Sequence, residues 1–206
     1  SFHQDGRTLY PGTGFPEEAG SPGAWGTNIN LPLLPGTGDE GLHRLYDGLI
    51  SHILEDFKPE LIINSAGQDN HFSDPLASMA VTAQGYARLA DKLQADIAVL
   101  EGGYSVESAL PYVNTGIILA MAGMDYSKVL EPDLSELRKQ DPRCNKRVDQ
   151  LIEQVGDLYF NRERTKKELL QKCNGVWQRK KHIYYDEEGI REQQVETVRY
   201  CSICDG

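Results

Sequence analysis

The sequence predicts an α/β fold, a parallel sheet with helices on both faces. Three observations carry that expectation. Two short apolar runs, Leu61-Ile62-Ile63 after the breaker Pro59 and Ile97-Ala98-Val99-Leu100, have the length of strands. Their apolarity is continuous rather than alternating, the pattern of strands buried on both faces of a parallel sheet. Segments with apolar residues at helical spacing separate the strands, so the order is strand, helix, strand, helix, strand, helix, with right-handed crossovers.

Ser1-Phe2-His3 reads as the end of a strand. Residues 4–26 are a long loop with turn signals at Gly6, Pro11, Gly12, Gly14, Pro16, Gly20 and Pro22. Loops of that length are usually functional or disordered. Residues 27–33 alternate and read as a strand. The turn at 35–40 leads into a helix whose apolar face is Leu42, Leu45, Leu49, Ile50, Ile53, Leu54 and Phe57. Pro59 stops it. His43 and His52 on this helix read as surface or edge residues.

The strand at Leu61 is ended by the small residues of Asn64-Ser65-Ala66-Gly67, and Asp69, His71 and Asp74 follow directly. Ligands and catalysis in open α/β sheets sit beyond the C-terminal ends of strands. A carboxylate there is a candidate metal ligand or base. Equally, Asp69 and Asp74 read as caps of the next helix, at about 82–93. The strand Ile97–Leu100 ends at Glu101-Gly102-Gly103-Tyr104, and the helix over about 106–122 is apolar on most sides, so burial is expected.

Residues 125–143 form a polar linker. Residues 145–172 read as a helix or helix pair, with one stripe at Val148, Leu151, Ile152, Val155, Leu158 and Tyr159 and another at Leu169, Leu170 and Cys173. Residues 180–200 read as a hairpin turning at Glu187-Glu188-Gly189. The expected organisation is a domain over 1–124 and an extension over 125–206. Three or four strands alone leave a sheet edge unpaired, so the isolated chain is expected to behave poorly.

A chain of 206 residues can bury one sizeable core with an appendage. It starts with Ser rather than Met, which suggests a fragment or processed product. A net charge of -10 argues against nonspecific nucleic-acid binding, and no run of apolar residues is long enough to span a membrane. The four cysteines, 144, 173, 201 and 204, are too few for a disulfide scaffold. They fit a reducing compartment, the cytoplasm or, in a eukaryote, the nucleus. Cys201 and Cys204 are half of a structural zinc site, a redox pair or an ordinary terminal pair. Cys144, Cys173 and His182 are available as further ligands without a recognised spacing, and completion across a dimer interface is another alternative.

The segment SAGQDNHFSDPLASMAVTAQGYARL resembles the part of the histone deacetylase family that reads Ser-Ala-Gly-x-Asp, then Gly-Asp-Pro-Leu, then Thr-x-x-Gly-Tyr. LEGGYSVESAL at 100–110 and SFHQDGRTLYPGTGFPEEAG at 1–20 match the same family in order and spacing. The resemblance covers about residues 1–124 and only the second half of the family's catalytic domain. It implies part of a three-layer arginase-like fold and a zinc-dependent amidohydrolase that deacetylates a lysine side chain or a small amine. Asp69 matches the third zinc ligand, and Tyr104 the tyrosine that hydrogen-bonds the substrate carbonyl and tetrahedral intermediate. Gly102 and Gly103 belong to the substrate tunnel and let the backbone turn sharply before that ring. Tyr10 and Leu76 match tunnel-lining positions, and Ser1 and Phe2 match residues that help hold a structural monovalent cation, K+.

His71 makes Asp69-Asn70-His71 an Asp-x-His, but its flanks match the third-ligand segment, so His71 is expected at the pocket rim. His3 has a family counterpart and no catalytic role. The family's other two zinc ligands and paired histidines lie upstream of the position of Ser1. With one of three ligands and no general base, this chain alone is expected to be inactive. The alternative is a non-catalytic interaction module that assembles, as a homo-oligomer among other arrangements, through the C-terminal helix and the Cys-x-x-Cys hairpin.

Overall fold

The structure, a computed structural model, describes residues 1–173, 175–185 and 189–199. The strands are β1 (Phe2–Gln4), β2 (Leu31–Leu33), β3 (Ile63–Ala66), β4 (Ile97–Leu100), β5 (Val176–Tyr185) and β6 (Ile190–Arg199). The helices are α1 (Asp39–Leu45), α2 (Ser51–Phe57), α3 (Ala83–Leu93), α4 (Leu110–Met121), α5 (Pro142–Phe160) and α6 (Arg162–Cys173). Among the described residues the strands form three two-stranded sheets, β1 with β2, β3 with β4 and β5 with β6. The chain divides into two compact units, Leu33–Gln150 and Ser1–Pro32 with Leu151–Gly206. No described helix is long and apolar enough to cross a membrane.

The unit Leu33–Gln150 is built on the parallel pair β3–β4, in register from Ile63 opposite Ile97 to Ala66 opposite Leu100. Asp96 accepts the Ile62 amide at 2.8 Å and so starts the pair. The apolar run thus begins pairing at Ile63, later than Leu61, and the small residues Asn64, Ser65 and Ala66 belong to the strand. Burial on both faces is not found. Ile63 is 57% exposed and Leu100 70%, and Leu61, Ile97 and Val99 are exposed as well. β3 and β4 pair only with each other among the described residues, and helix side chains, not these, fill the core.

That core is formed by Leu42, Leu45, Leu49 and Ile53, with Val81, Ala87, Val113 and Ile117 from the segments that follow. α1 and α2 are joined without a break by a wide π turn at Tyr46–Ile50. Phe57, expected on the apolar face, is exposed. α3 packs against α4 and α1. Its cap is Thr82, whose hydroxyl accepts the Gly85 amide, so neither Asp69 nor Asp74 caps it. Asp39 accepts from the Thr82 amide at 2.8 Å and hydroxyl at 2.7 Å. At the other end of α3 the Tyr46 hydroxyl donates to Lys92 O at 2.6 Å, and Lys92 pairs with Asp47.

α4 starts at Leu110 and buries one side only. Val113, Gly116, Ile117 and Ala120 face inward, and Ile118 faces out. Within the polar linker, Asp141 accepts the Arg143 amide and caps α5, with Pro142 in the first turn.

In the other unit the expected strand at 27–33 reduces to β2. The Gly- and Pro-rich loop is tied down. Glu18 accepts the Gly14 amide at 2.6 Å and the Phe15 amide at 3.2 Å, and Asn28 and Asn30 donate to the Glu18 carbonyl. The helix pair is α5 and α6, and Leu151, Val155 and Tyr159 are fully buried. The second stripe, Leu169, Leu170 and Cys173, is only half-buried. The hairpin β5–β6 is longer than expected, starting at Val176. Glu187 and Glu188 of its turn, and Cys201 and Cys204, lie outside the described residues.

His52 is exposed as expected, but His43 is buried, its Nδ1 without a hydrogen-bond partner. Burial, helped by the Lys92 and Arg88 cations, lowers its imidazole to about 4. Between an ordinary histidine value of about 6.5 and about 4, the unfolded chain therefore binds a proton that the folded chain refuses. Stability falls as pH drops through that window, and His43→Gln should flatten this limb of the pH–stability curve. An unchanged slope would count against the burial. Leu45→Ala should destabilise the protein by about 2–5 kcal/mol in chemical denaturation, because it removes a wholly buried side chain from the helix core.

Candidate active site

In a parallel pair both strands deliver their C-terminal ends to the same edge. The segment after β3, residues 67–75, therefore meets the segment after β4, residues 101–105. The Gln68 amide donates to Gly102 O at 2.5 Å and Ser65 Oγ to Glu101 at 3.0 Å. Gly103 has φ +148°, and a Cβ there would stand 2.9 Å from the Gln68 Cβ, so the crossing admits only glycine.

Gly102 leaves open a point that Asp69 and Tyr104 share. A Cβ at Gly102 would lie 2.9 Å from Asp69 Oδ2 and 3.6 Å from Tyr104 Cε2. The Asp69 carboxylate is half-buried. Burial, with the charge of Asp74 nearby, raises its carboxyl above the usual range. A cation beside it would relieve both effects. The Tyr104 ring is 53% exposed, so its hydroxyl can meet another molecule.

Asp74 is buried and accepts from three amides. Oδ1 takes Leu76 at 2.9 Å and Ala77 at 3.2 Å, and Oδ2 takes Tyr104 at 2.8 Å. Beside it runs a buried polar chain. Glu131 Oε1 lies 2.9 Å from His71 Nε2 and accepts the Ala83 amide at 2.5 Å. His71 Nδ1 meets Ser73 Oγ at 2.9 Å, and Ser73 Oγ meets Ser105 Oγ at 2.9 Å and Ser108 Oγ at 3.1 Å. Burial pushes the Glu131 carboxyl up, but the hydrogen bonds from His71 and the Ala83 amide outweigh it and hold the carboxyl below its ordinary value.

Asp69, Gly102, Gly103 and Tyr104 thus come together. Leu76 is exposed and does not join the core. His71 is wholly buried, an internal strut and not a rim residue. Tyr10 belongs to the other compact unit, where its exposed ring approaches Tyr185 at 6.4 Å between centroids. Ser1 and Phe2 are in that unit too. The Ser1 ammonium donates to Ile29 O at 2.8 Å and its hydroxyl meets His3 Nδ1 at 3.0 Å, and His3 Nε2 meets Gly14 O at 2.9 Å. The sequence reading missed Glu131, which stands in a stretch without periodicity, and the three-amide role of Asp74. An Asp next to Pro is a turn signal and no more.

A catalytic zinc takes three protein ligands and keeps a position open. Among the described residues no group of three or more His, Cys, Asp or Glu side chains could hold a metal ion. Asp69 suits one ligand position. The described residues alone do not make the site.

Residues 1–120 match the family model of the histone deacetylase domain. Over 154 residues the chain is 53% identical to a probable deacetylase of Archaeoglobus fulgidus, covering 68% of this chain and 42% of that protein. It is 34% identical over 152 residues to the acetoin utilization protein AcuC of Bacillus subtilis, covering 69% of this chain and 39% of that one. The chain thus spans about two fifths of the length of these curated relatives. Among solved structures, the HDA15 HD domain matches with a TM-score of 0.64 at 25% identity, over 83% of this chain and 46% of that one. An acetylpolyamine aminohydrolase from Burkholderia pseudomallei matches with a TM-score of 0.54 at 29% identity, over 60% and 37%. These neighbours share the arginase-like α/β arrangement, and by the residues matched this chain belongs to the histone deacetylase family.

Proposed function

We propose that this chain supplies the oxyanion-binding tyrosine and one metal-binding carboxylate of a zinc-dependent deacetylase. The protein containing it would hydrolyse the acetyl amide of a lysine side chain or of a small acetylated amine. The observation that carries the reading is the single open point at Gly102 that the Tyr104 ring and Asp69 Oδ2 both border. The small-amine arm draws on the likeness to the acetylpolyamine aminohydrolase, the lysine arm on the deacetylase relatives.

In this reading Tyr104 donates its hydroxyl to the carbonyl oxygen as the carbon becomes tetrahedral. A donor already in place where charge develops stabilises the transition state more than the ground state. Asp69 is one ligand of a zinc ion, which when bound polarises the carbonyl and lowers the pKa of a bound water. The remaining ligands come from outside the described residues. Leu76, Gly102 and Gly103 belong to the substrate tunnel, and Ser1 and Phe2 contribute to a K+ site.

Residues 1–124 carry the catalytic portion and 125–206 an extension. Self-association through that extension is a secondary part of the proposal, favoured by the exposed Val176, Ile190 and Val195 of the hairpin. The expected compartment is the cytoplasm, or the nucleus in a eukaryote.

In the complete protein, Tyr104→Phe should lower kcat for an acetylated amine by about 10²–10³-fold with the fold intact. Undiminished turnover would remove the assignment. Asp69→Asn should cut the bound zinc measured by elemental analysis, and unchanged zinc content would exclude Asp69 as a ligand. The 206-residue chain alone should not turn over acetyl-lysine.

A further inference from the structure

We propose that Asp74 is a positioning residue for Tyr104, and that the ladder Ser105–Ser73–His71–Glu131 braces the same segment from the side. The inference rests on the reading of Tyr104 given above.

A tyrosine whose hydroxyl must meet substrate cannot be oriented by a standing hydrogen bond at that hydroxyl. Its ring is half-exposed, and it follows two glycines, the residues with the most backbone freedom. The ring's aim therefore depends on what holds the main chain. Three ties do so along this segment. Gly102 O accepts the Gln68 amide at 2.5 Å, the Tyr104 amide donates to Asp74 Oδ2 at 2.8 Å, and Ser105 Oγ meets Ser73 Oγ at 2.9 Å. The middle tie is on Tyr104 itself and is charge-assisted, the stronger kind of hydrogen bond.

The chemistry of Asp74 is matched to joining two segments. Its two oxygens accept three amides, two from its own turn and one from the segment after β4. An asparagine has one acceptor oxygen, and its NH2 would face an amide donor on one side or the other. With its one oxygen at the Oδ1 position, the Asp74→Asn variant keeps the two amides of the turn and turns an NH2 toward the Tyr104 amide, so the tie to Tyr104 is lost. A mere turn cap would need only Oδ1. The tie from Oδ2 is what the turn does not use.

The lateral ladder ends in buried groups. His71 sits between Ser73 and Glu131, and Glu131 also holds the Ala83 amide at the start of α3. Ser105 is therefore referred, through Ser73, to the packed helix layer and not to a free loop.

The test is a double-mutant cycle in the complete, zinc-loaded protein, with kcat and KM measured for wild type, Asp74→Asn, Tyr104→Phe and the double variant. Asp74→Asn should lower kcat by about 10–100-fold, the scale of a small misplacement of a catalytic group, with KM within about 2-fold. In the Tyr104→Phe background the same change should cost nothing further, because it acts through the hydroxyl already lost. Amide hydrogen exchange should show Tyr104 N–H losing protection in Asp74→Asn. Equal losses in both backgrounds, an unchanged kcat or an unchanged Tyr104 exchange rate would each overturn the inference.

Should Asp74→Asn fail to fold, Ser105→Ala removes the Ser73–Ser105 tie and leaves the Ser73–Ser108 contact in place. Its kcat loss, about 3–10-fold, should likewise vanish in the Tyr104→Phe background, and a loss of the same size there overturns the inference. Full activity of Tyr104→Phe overturns the reading of Tyr104 and this inference together. Loss of activity in Tyr104→Phe with an uncoupled Asp74→Asn overturns this inference alone.

Discussion

The parallel register of Ile63 with Ile97 is the constraint on which the rest depends. A parallel pair puts both strand exits on one edge, so residues 67–75 and 101–105 must share the same space. Everything at the candidate site follows from that crowding. The backbone at Gly103 adopts a conformation other residues avoid, Gly102 leaves room for a carboxylate and a ring, and one aspartate serves amides from both exits. A slip of one residue along β4 would turn its side chains to the opposite face and carry Tyr104 away from Asp69.

Two kinds of polar group meet at this edge. Asp69 is half-buried with no cation beside it among the described residues, and its carboxyl is raised. Glu131 is more deeply buried, yet its hydrogen bonds keep its carboxyl low. Burial is common to both, and hydrogen bonding separates them. Glu131 is a finished structural group, satisfied within the chain. At Asp69 a backbone hydrogen bond lowers the carboxyl by less than burial and the Asp74 charge raise it.

The sequence was legible where a pattern is local. The apolar runs located β3 and β4, helical periodicity located the run of α1 and α2 and the buried stripe of α5, and the strand-end rule drew attention to Asp69. Family motifs, not periodicity, singled out Tyr104. Non-local facts were not legible. Nothing around Glu131 announces that it meets His71, sixty residues earlier, and His43 has no neighbouring signal that its helix turns it inward. The apolarity of β3 and β4 truthfully reported side chains suited to burial, but it could not say whether the described residues contain the layer that buries them.

The contacts at the two ends of α3 fix more than its position. Asp39 grips the first turn through Thr82, and further along the same helical run Tyr46 and Asp47 grip the last through Lys92. One helix acts as a caliper closed on another, and the opening of the caliper matches a single length. A turn added to or removed from α3 would unhook one jaw. Because the first turn of α3 also carries the amide that Glu131 holds, the span of this helix is tied to the edge where Asp69 and Tyr104 meet. The length of α3 is therefore set from both of its ends.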